Sequence, residues 1–139
     1  MAAGDYRVGL DGKFYYGTAG SQANTEANNV DDVSLSLSAR TAEAVRRGKT
    51  WVANKPTVLE ATLEFKLYDI DSDAFLAAIK NAYTGRTRIA LYPRDAAGGE
   101  GLDADYYITA FNRSEDNEEF ITYNVTAVPT DEQRDPTWT

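Results

Sequence analysis

The sequence contains no cysteine and no histidine. The first absence excludes disulfides, thiolate nucleophiles, zinc–thiolate sites and iron–sulfur clusters. The second removes the commonest general base, the usual imidazole metal ligand and any Ser-His-Asp triad. Long apolar runs are missing too: no segment approaches the roughly 20 residues of a helical membrane span, and no membrane partner is expected. The opening Met1-Ala2-Ala3-Gly4-Asp5-Tyr6 has no cationic stretch leading into an apolar one, so no secretory signal is expected. The Asn-x-Ser/Thr triplets at Asn112 and Asn124 are then read as chance. What is present, 42% hydrophobic and 12% aromatic residues in a chain of 139, suits a single domain over 1–139 that buries its core without cross-links.

Positive charge is scarce, with 14 Lys and Arg against 22 Asp and Glu for a net charge of -8, and it is unevenly placed. The segment 39–55 holds Arg40, Arg46, Arg47, Lys49 and Lys55 against Glu43 alone, whereas 95–119 holds eight carboxylates against Arg113. One cationic segment on an acidic body makes a poor footprint for nucleic acid. Complementary ends point to self-association instead.

Periodicity gives mostly strands. Tyr6 to Tyr16 reads as a hairpin through Asp11-Gly12, and Gly17 to Asn29 as a loop. Val33, Leu35 and Leu37 alternate with Ser34, Ser36 and Ser38, a strand with its apolar face toward the core. A long loop over 39–56 follows. Next, Leu59, Ala61, Leu63, Phe65 and Leu67 alternate with Val58, Glu60, Thr62, Glu64 and Lys66, whose face looks toward water. Asp71 or Ser72 is positioned to cap a helix reaching about Thr84, with Phe75, Leu76, Ile79, Ala82 and Tyr83 on one stripe and Gly85 ending it. Thr87 to Tyr92 is a strand stopped by Pro93. Asp103–Phe111 and Glu119–Val128 are two more, and residues 129–139 form a polar C-terminal tail. The expected fold class is mainly β: an antiparallel β-sandwich or partial barrel with one flanking α-helix and a long extended loop.

Chemistry is hard to assemble from these residues. Asp69-Ile70-Asp71-Ser72-Asp73 begins like a calcium loop, but Ala74 stands where glycine is needed and Lys80 where the bidentate glutamate belongs. Carboxylates at a helix start explain it better. Glu115, Asp116, Glu118 and Glu119 fall on a hairpin tip, solvated and ionised, not in a cleft. Gly98-Gly99-Glu100-Gly101 fits no phosphate loop. No nucleophile, base and oxyanion donor converge, so no enzyme, metal or cofactor is expected. The nine tyrosines keep open a small cytosolic β-sandwich that binds a ligand, with Trp51 and tyrosines around one pocket. The 39–56 loop, with Val45, Trp51 and Val52 among its cations, has the composition of an interface anchor, although a loop folded onto its own sandwich is the competing reading. Adjacent aromatics at Phe14-Tyr15-Tyr16 and Tyr106-Tyr107 put bulk on both strand faces, as if the helix or another subunit covered one.

The order of these segments resembles the tail tube (major tail) proteins of long-tailed, siphovirus-like bacteriophages. The resemblance runs from Asp11-Gly12-Lys13-Phe14-Tyr15-Tyr16-Gly17 and Asn29-Val30-Asp31-Asp32-Val33, through Arg46-Arg47-Gly48-Lys49-Thr50-Trp51 and the strand to Tyr68. It continues over the helix segment 73–83, Ile89-Ala90-Leu91 and Gly101-Leu102-Asp103-Ala104-Asp105-Tyr106. It implies a structural virion protein, assembled as hexameric rings stacked into a tube that conducts phage DNA into the host. It also implies a tape measure protein in the lumen, a tail terminator and distal tail or baseplate proteins at the ends, and transit of double-stranded DNA without specific binding. The protein would reside in the host cytoplasm during assembly and in the virion tail afterwards. Arg40, Arg46, Arg47, Lys49, Trp51 and Lys55 would bridge subunits or rings, the cations meeting the acidic 95–119 region of a neighbour. Ser34, Ser36, Ser38, Glu60, Thr62, Glu64, Thr122 and Asn124 would line the lumen. Tubes of contractile tails and secretion machines are the near neighbour of this reading.

Overall fold

The computed structural model describes residues 12–95, 99–115 and 117–139. The expected strand Tyr6–Leu10 with its turn residue Asp11, and likewise Gly98 and Asp116, lie outside these. Among the described residues are eight strands and one helix. In chain order they are β1 Lys13–Gly17, β2 Thr25–Glu26, β3 Val30–Ala44, β4 Ala53–Tyr68, α1 Ala74–Gly85, β5 Ile89–Arg94, β6 Leu102–Ser114, β7 Thr122–Thr130 and β8 Thr137–Trp138. All pairings are antiparallel, in the order β2-β1-β5-β6-β7-β4-β3, with β8 added to the start of β6.

Of the two architectures left open by the periodicity, this is the partial barrel: one sheet that curls without closing. The curl is visible in the rings. Phe14 on β1 and Phe65 on β4 are separated by β5, β6 and β7 in the sheet, yet their centroids lie 5.0 Å apart. Phe75 of α1 packs on both, at 5.6 and 5.9 Å. The concave face is therefore filled by α1 and by the alternate residues Leu63, Phe65 and Leu67 of β4, Tyr123, Val125 and Ala127 of β7, and Ala104, Tyr106 and Ile108 of β6. A period of two along each strand supplies that face, and burying each large side chain contributes about 1.5–3 kcal/mol.

The helix begins one or two residues later than expected. Asp73, not Asp71 or Ser72, is the cap: its carboxylate accepts from the Leu76 N–H at 3.3 Å. Buried Asn29 selects it, donating to the same carboxylate at 3.0 Å and accepting from the Tyr68 N–H at 3.1 Å, so helix start and β4 end are pinned together. At the other end Gly85 is still helical, and the left-handed residue is Arg86 (φ 55°), whose N–H bonds back to the Tyr83 carbonyl. Pro93 does not stop its strand. Pairing of β5 with β6 ends at Leu91, so Pro93 sits where one side of β5 is already an edge, the position in which proline is tolerated.

Two further segments differ from expectation. The bulk on the second face around Tyr15 packs against the protein's own loop, with Ala23, Ala90 and Tyr92 buried beside it, and not against the helix. The 129–139 tail is folded home: Pro129 and Thr130 belong to β7, and after a turn β8 pairs Trp138 with Leu102 and Thr137 with Asp103.

Candidate assembly surfaces

The face of the sheet opposite the core collects the polar strand residues. Register places Ser34 across from Glu64, Ser36 from Thr62 and Ser38 from Glu60 on β3 and β4. It then places Glu64 beside Thr126, Lys66 beside Asn124 and Tyr68 beside Thr122 on β7. Directly opposite residues of an antiparallel pair share a face. Ser34, Ser36, Ser38, Glu60, Thr62, Glu64, Thr122 and Asn124 thus form one continuous surface, extended on β6 by Asn112 and Ser114. Its charge is close to balanced. Arg40 points to this same face and is ion-paired with Glu60, while Lys66 lies across from Asp31. Hydroxyls and amides dominate, not free carboxylates.

The segment read as a long loop is a strand pair. β3 and β4 continue past the sheet as a two-stranded ribbon, with Thr41 across from Pro56, Ala42 from Lys55 and Ala44 from Ala53, so that only residues 45–52 lie outside the strands. Alternation gave no sign of this because both faces of the ribbon meet solvent and neither is selected to be apolar. Pro56 is accommodated at a bulge, where register shifts between Arg40 and Thr41. At the tip the Lys49 N–H bonds to the Arg46 carbonyl at 3.2 Å, and Gly48 takes φ 81°, as the third residue of a type II turn requires. Pairing of β4 with β7 begins only at Leu63, so about 30 Å of ribbon, ten residues at roughly 3.3 Å each, has no third strand.

That ribbon carries most of the exposed apolar side chains: Leu37 is 57%, Leu59 83% and Trp51 86% exposed, with Val45, Val52 and Val58 also uncovered, and Val33 is exposed where β3 still borders the sheet. The strand face of Val33, Leu35 and Leu37 was expected in the core. Only Leu35 packs against it, because the hydrophobic cluster ends where α1 and β7 end. Arg46, Arg47, Lys49, Trp51 and Lys55 all lie at or near the ribbon tip and are exposed. Arg40 does not join them: it belongs to the polar face with Glu60.

The acidic stretch 95–119 is not one patch. β6 separates its ends by about 40 Å, thirteen residues at roughly 3.3 Å, and two of its carboxylates are internal. Asp105 is fully buried, accepting from the Gly20 N–H at 2.9 Å and from Arg134 Nε at 2.9 Å, while Arg134 also reaches Asp103 at 3.0 Å. Burial alone lowers the Arg134 pKa, but hydrogen bonds to Asp105 and Asp103 outweigh it and leave the guanidinium's pKa raised. Sequence reasoning missed this cluster. The Asp-x-Asp spacing puts both carboxylates on one strand face, but nothing local marks a partner 29 and 31 residues away. At the far end Glu115 pairs with Arg113 at 3.5 Å, and Glu118 and Glu119 are exposed.

Two of the concavities among the described residues bear on a ligand-binding reading. One, of about 530 Å³, lies between Tyr15, Tyr92, Arg94 and Thr139. Trp51 stands on the ribbon tip, so the pocket of Trp51 and tyrosines that a ligand-binding module would need is not assembled. The other, of about 910 Å³, follows the seam where the sheet fails to close, between β1 and the start of β3.

No family model matches the sequence, and neither does any curated protein. Solved structures do match in backbone. The chain superimposes on a subunit from the tail of an empty gene transfer agent particle, refined with C6 symmetry, with a TM-score of 0.77 at 14% identity over 96% of this chain and 99% of that one. The SPP1 tail tube gives 0.75 at 13% over 96% and 79%. A chain of the sheath-tube complex of an extracellular contractile injection system gives 0.66 at 11% over 99% and 93%. The fold is that of tail tube subunits: mainly β, one helix, an antiparallel sheet left unclosed.

Proposed function

We propose that this chain is a structural tail tube subunit of a siphovirus-like phage, without catalytic function. Copies close into hexameric rings, and rings stack into the tube through which phage DNA passes. The observation that carries the reading is the unsupported ribbon. A two-stranded ribbon is marginal in water by itself, and this one exposes leucine, valine and tryptophan on a shaft tipped with Arg46, Arg47 and Lys49. Neighbouring copies cover it, and the sheet edges at β3 and β2 find partners in the same step. The C6 symmetry of the gene transfer agent tail supports six subunits per ring.

The hydroxyl-rich face lines the lumen in this reading. DNA carries one charge per about 1.7 Å of axis, so a channel that passes it must offer no cationic foothold. A lone carboxylate 10 Å from a phosphate costs only about 0.4 kcal/mol in water before screening. With Arg40 paired to Glu60 and Lys66 set across from Asp31, each cation of the face has a carboxylate beside it, so the face works chiefly by offering phosphate little to hold, and repulsion from Glu64 is a small addition. A tape measure protein inside, a terminator and baseplate proteins at the ends, passage through host cytoplasm during assembly and a final place in the virion tail belong to the same proposal. The likeness to a sheath-tube complex favours one second reading, the tube of a contractile system, which has the same subunit mechanics with a sheath outside.

Negative-stain microscopy of the purified protein at high concentration tests the proposal and is expected to show rings or tubes. A strict monomer at every concentration and salt, also beside its terminator and baseplate partners, overturns it.

A further inference from the structure

The open seam of the barrel is a built cleft. Its floor is apolar, with Phe14 and Ala27 buried and Leu35 half-buried, and Val33 and Trp138 stand exposed on its walls. Its rim carries Glu26, Asp31, Asp32, Asp95 and Glu100 against two cations, Lys13 and Arg94. Lys13 pairs with Glu26 at 3.3 Å and Arg94 bonds the Gly99 carbonyl, so the balance is negative and Asp31, Asp32 and Glu100 supply most of it. Backbone strain marks the rim as well: register slips between Asp31 and Ser34, and Asp32 holds φ 50°, a left-handed conformation that a non-glycine residue adopts at a cost. The bulge holds Asp32 at the cleft mouth. At about 910 Å³, the volume is at the upper end of the range for sites that engulf a small ligand.

We infer that this cleft receives the ribbon tip of a second copy of the chain, Trp51 entering the apolar floor and Arg46, Arg47 and Lys49 meeting the carboxylate rim. The inference rests on the tube reading and names the receiving surface within it. Three observations choose this occupant. The tip and the rim have opposite charge, which orients encounter and fixes register. Trp51 is the most exposed large apolar side chain among the described residues, and tryptophan and arginine, both present on this tip, are the residue types enriched at the desolvated centre of interfaces. Finally, the cleft and tip lie at opposite ends of the ribbon on one subunit, so copies can join head to tail, the arrangement that a ring or stack requires. The exposed acidic end at Glu118 and Glu119 is the competing receptor for the cations, but it lines neither of the two concavities described above. Residues 1–11, which join the chain at Gly12 on the cleft lip, are the competing occupant.

Because the chain has no cysteine, introduced thiols are the only ones present. The full-length double variant Lys49→Cys with Glu100→Cys, assembled and treated with a short bismaleimide, is expected to give a ladder of linked subunits on a denaturing gel. Lys49→Cys with Val33→Cys is expected to do the same from the opposite wall. Lys49→Cys with Glu118→Cys should stay monomeric. A ladder from the Glu118 pair alone, or intact tubes by microscopy with both cleft pairs unlinked, overturns the inference while leaving the tube reading standing. An intramolecular link between Ala3→Cys and Glu100→Cys that abolishes the ladder also overturns it, in favour of the chain's own first residues. Absence of tubes from the unaltered protein strikes the tube reading itself.

Discussion

Arg134 holds two carboxylates that the rest of the chain has removed from water. Asp105 is fully buried and Asp103 nearly so, so truncating the guanidinium takes the counter-ion from both and leaves Asp105 with the Gly20 N–H. Breaking a buried pair from one side costs about 3 kcal/mol or more. Arg134→Ala is therefore expected to lower the denaturation free energy by about 3 kcal/mol in a urea titration, while Arg88→Ala, whose contact with Glu132 is long at 3.6 Å and half in solvent, changes it by well under 1 kcal/mol. Tyr106 beside this cluster gives a pH signature. Burial first, and then the Asp103 charge, raise its phenol above the ordinary 10.0, against a lowering by Arg134. The sign follows from linkage: the unfolded chain releases this proton near pH 10 and the folded chain keeps it, so the stabilisation is complete below pH 10 and is lost as pH rises beyond it. Tyr106→Phe should flatten that alkaline loss in a pH series of melts. At neutral pH it should cost about 1 kcal/mol for the hydrogen bond to the Leu102 carbonyl.

At the scale of elements, α1 is well started and poorly stopped. Its cap is held by Asp73 and Asn29 together, whereas Gly85 sits in the last helical position and Arg86 takes the left-handed one. The glycine is one residue early for the conformation that needs it. Arg86→Gly is expected to stabilise the fold by about 1 kcal/mol, since an L side chain is strained there. Gly85→Ala should add about 0.5–1 kcal/mol from helix propensity, because a Cβ at that position meets Thr87 only at ordinary contact distance, 3.7 Å. Thermal melts of the two single variants check both. The reverse holds at Gly101, where an added Cβ would fall 1.6 Å from the Pro93 carbonyl oxygen. That glycine is needed for the backbone approach that lets Gly101 pair with Thr139.

For the whole molecule the decisive quantity is charge placed far from the core. Arg46 and Arg47 sit on the ribbon tip, exposed, and touch nothing that stabilises the barrel. Arg46→Glu with Arg47→Glu is expected to abolish tube growth, seen by negative stain, while the melting temperature of the monomer stays unchanged, because exposed charges contribute little to folding. Raised salt should weaken assembly of the unaltered protein in the same direction, screening the tip from a neighbour's acidic rim over about 8 Å. Tubes of normal length from the doubly reversed variant would remove the tip from the interface.

Strict alternation at Leu63-Phe65-Leu67 and Tyr123-Val125-Ala127, and the stripe Phe75-Leu76-Ile79-Ala82, determined which residues enter the core, because burial on one side leaves a period in the sequence. The same period placed eight polar residues together on the opposite face, including residues from strands more than fifty positions apart. Where neither face is buried there is no period to read, which is why residues 39–56 look like a loop. Leu37 and Leu59, by contrast, look like core because the alternation of the buried strand segments runs on through them beyond the end of the hydrophobic cluster. Contacts that depend on where the chain returns were decided by tertiary structure alone. The capture of Asp103 and Asp105 by Arg134, the choice of Asp73 over Asp71 by Asn29, the pairing of Arg40 with Glu60 and the open seam beside Phe14 are all of this kind. Each joins residues too far apart along the chain for local pattern to bind them, and only the curl of the sheet brings them within reach.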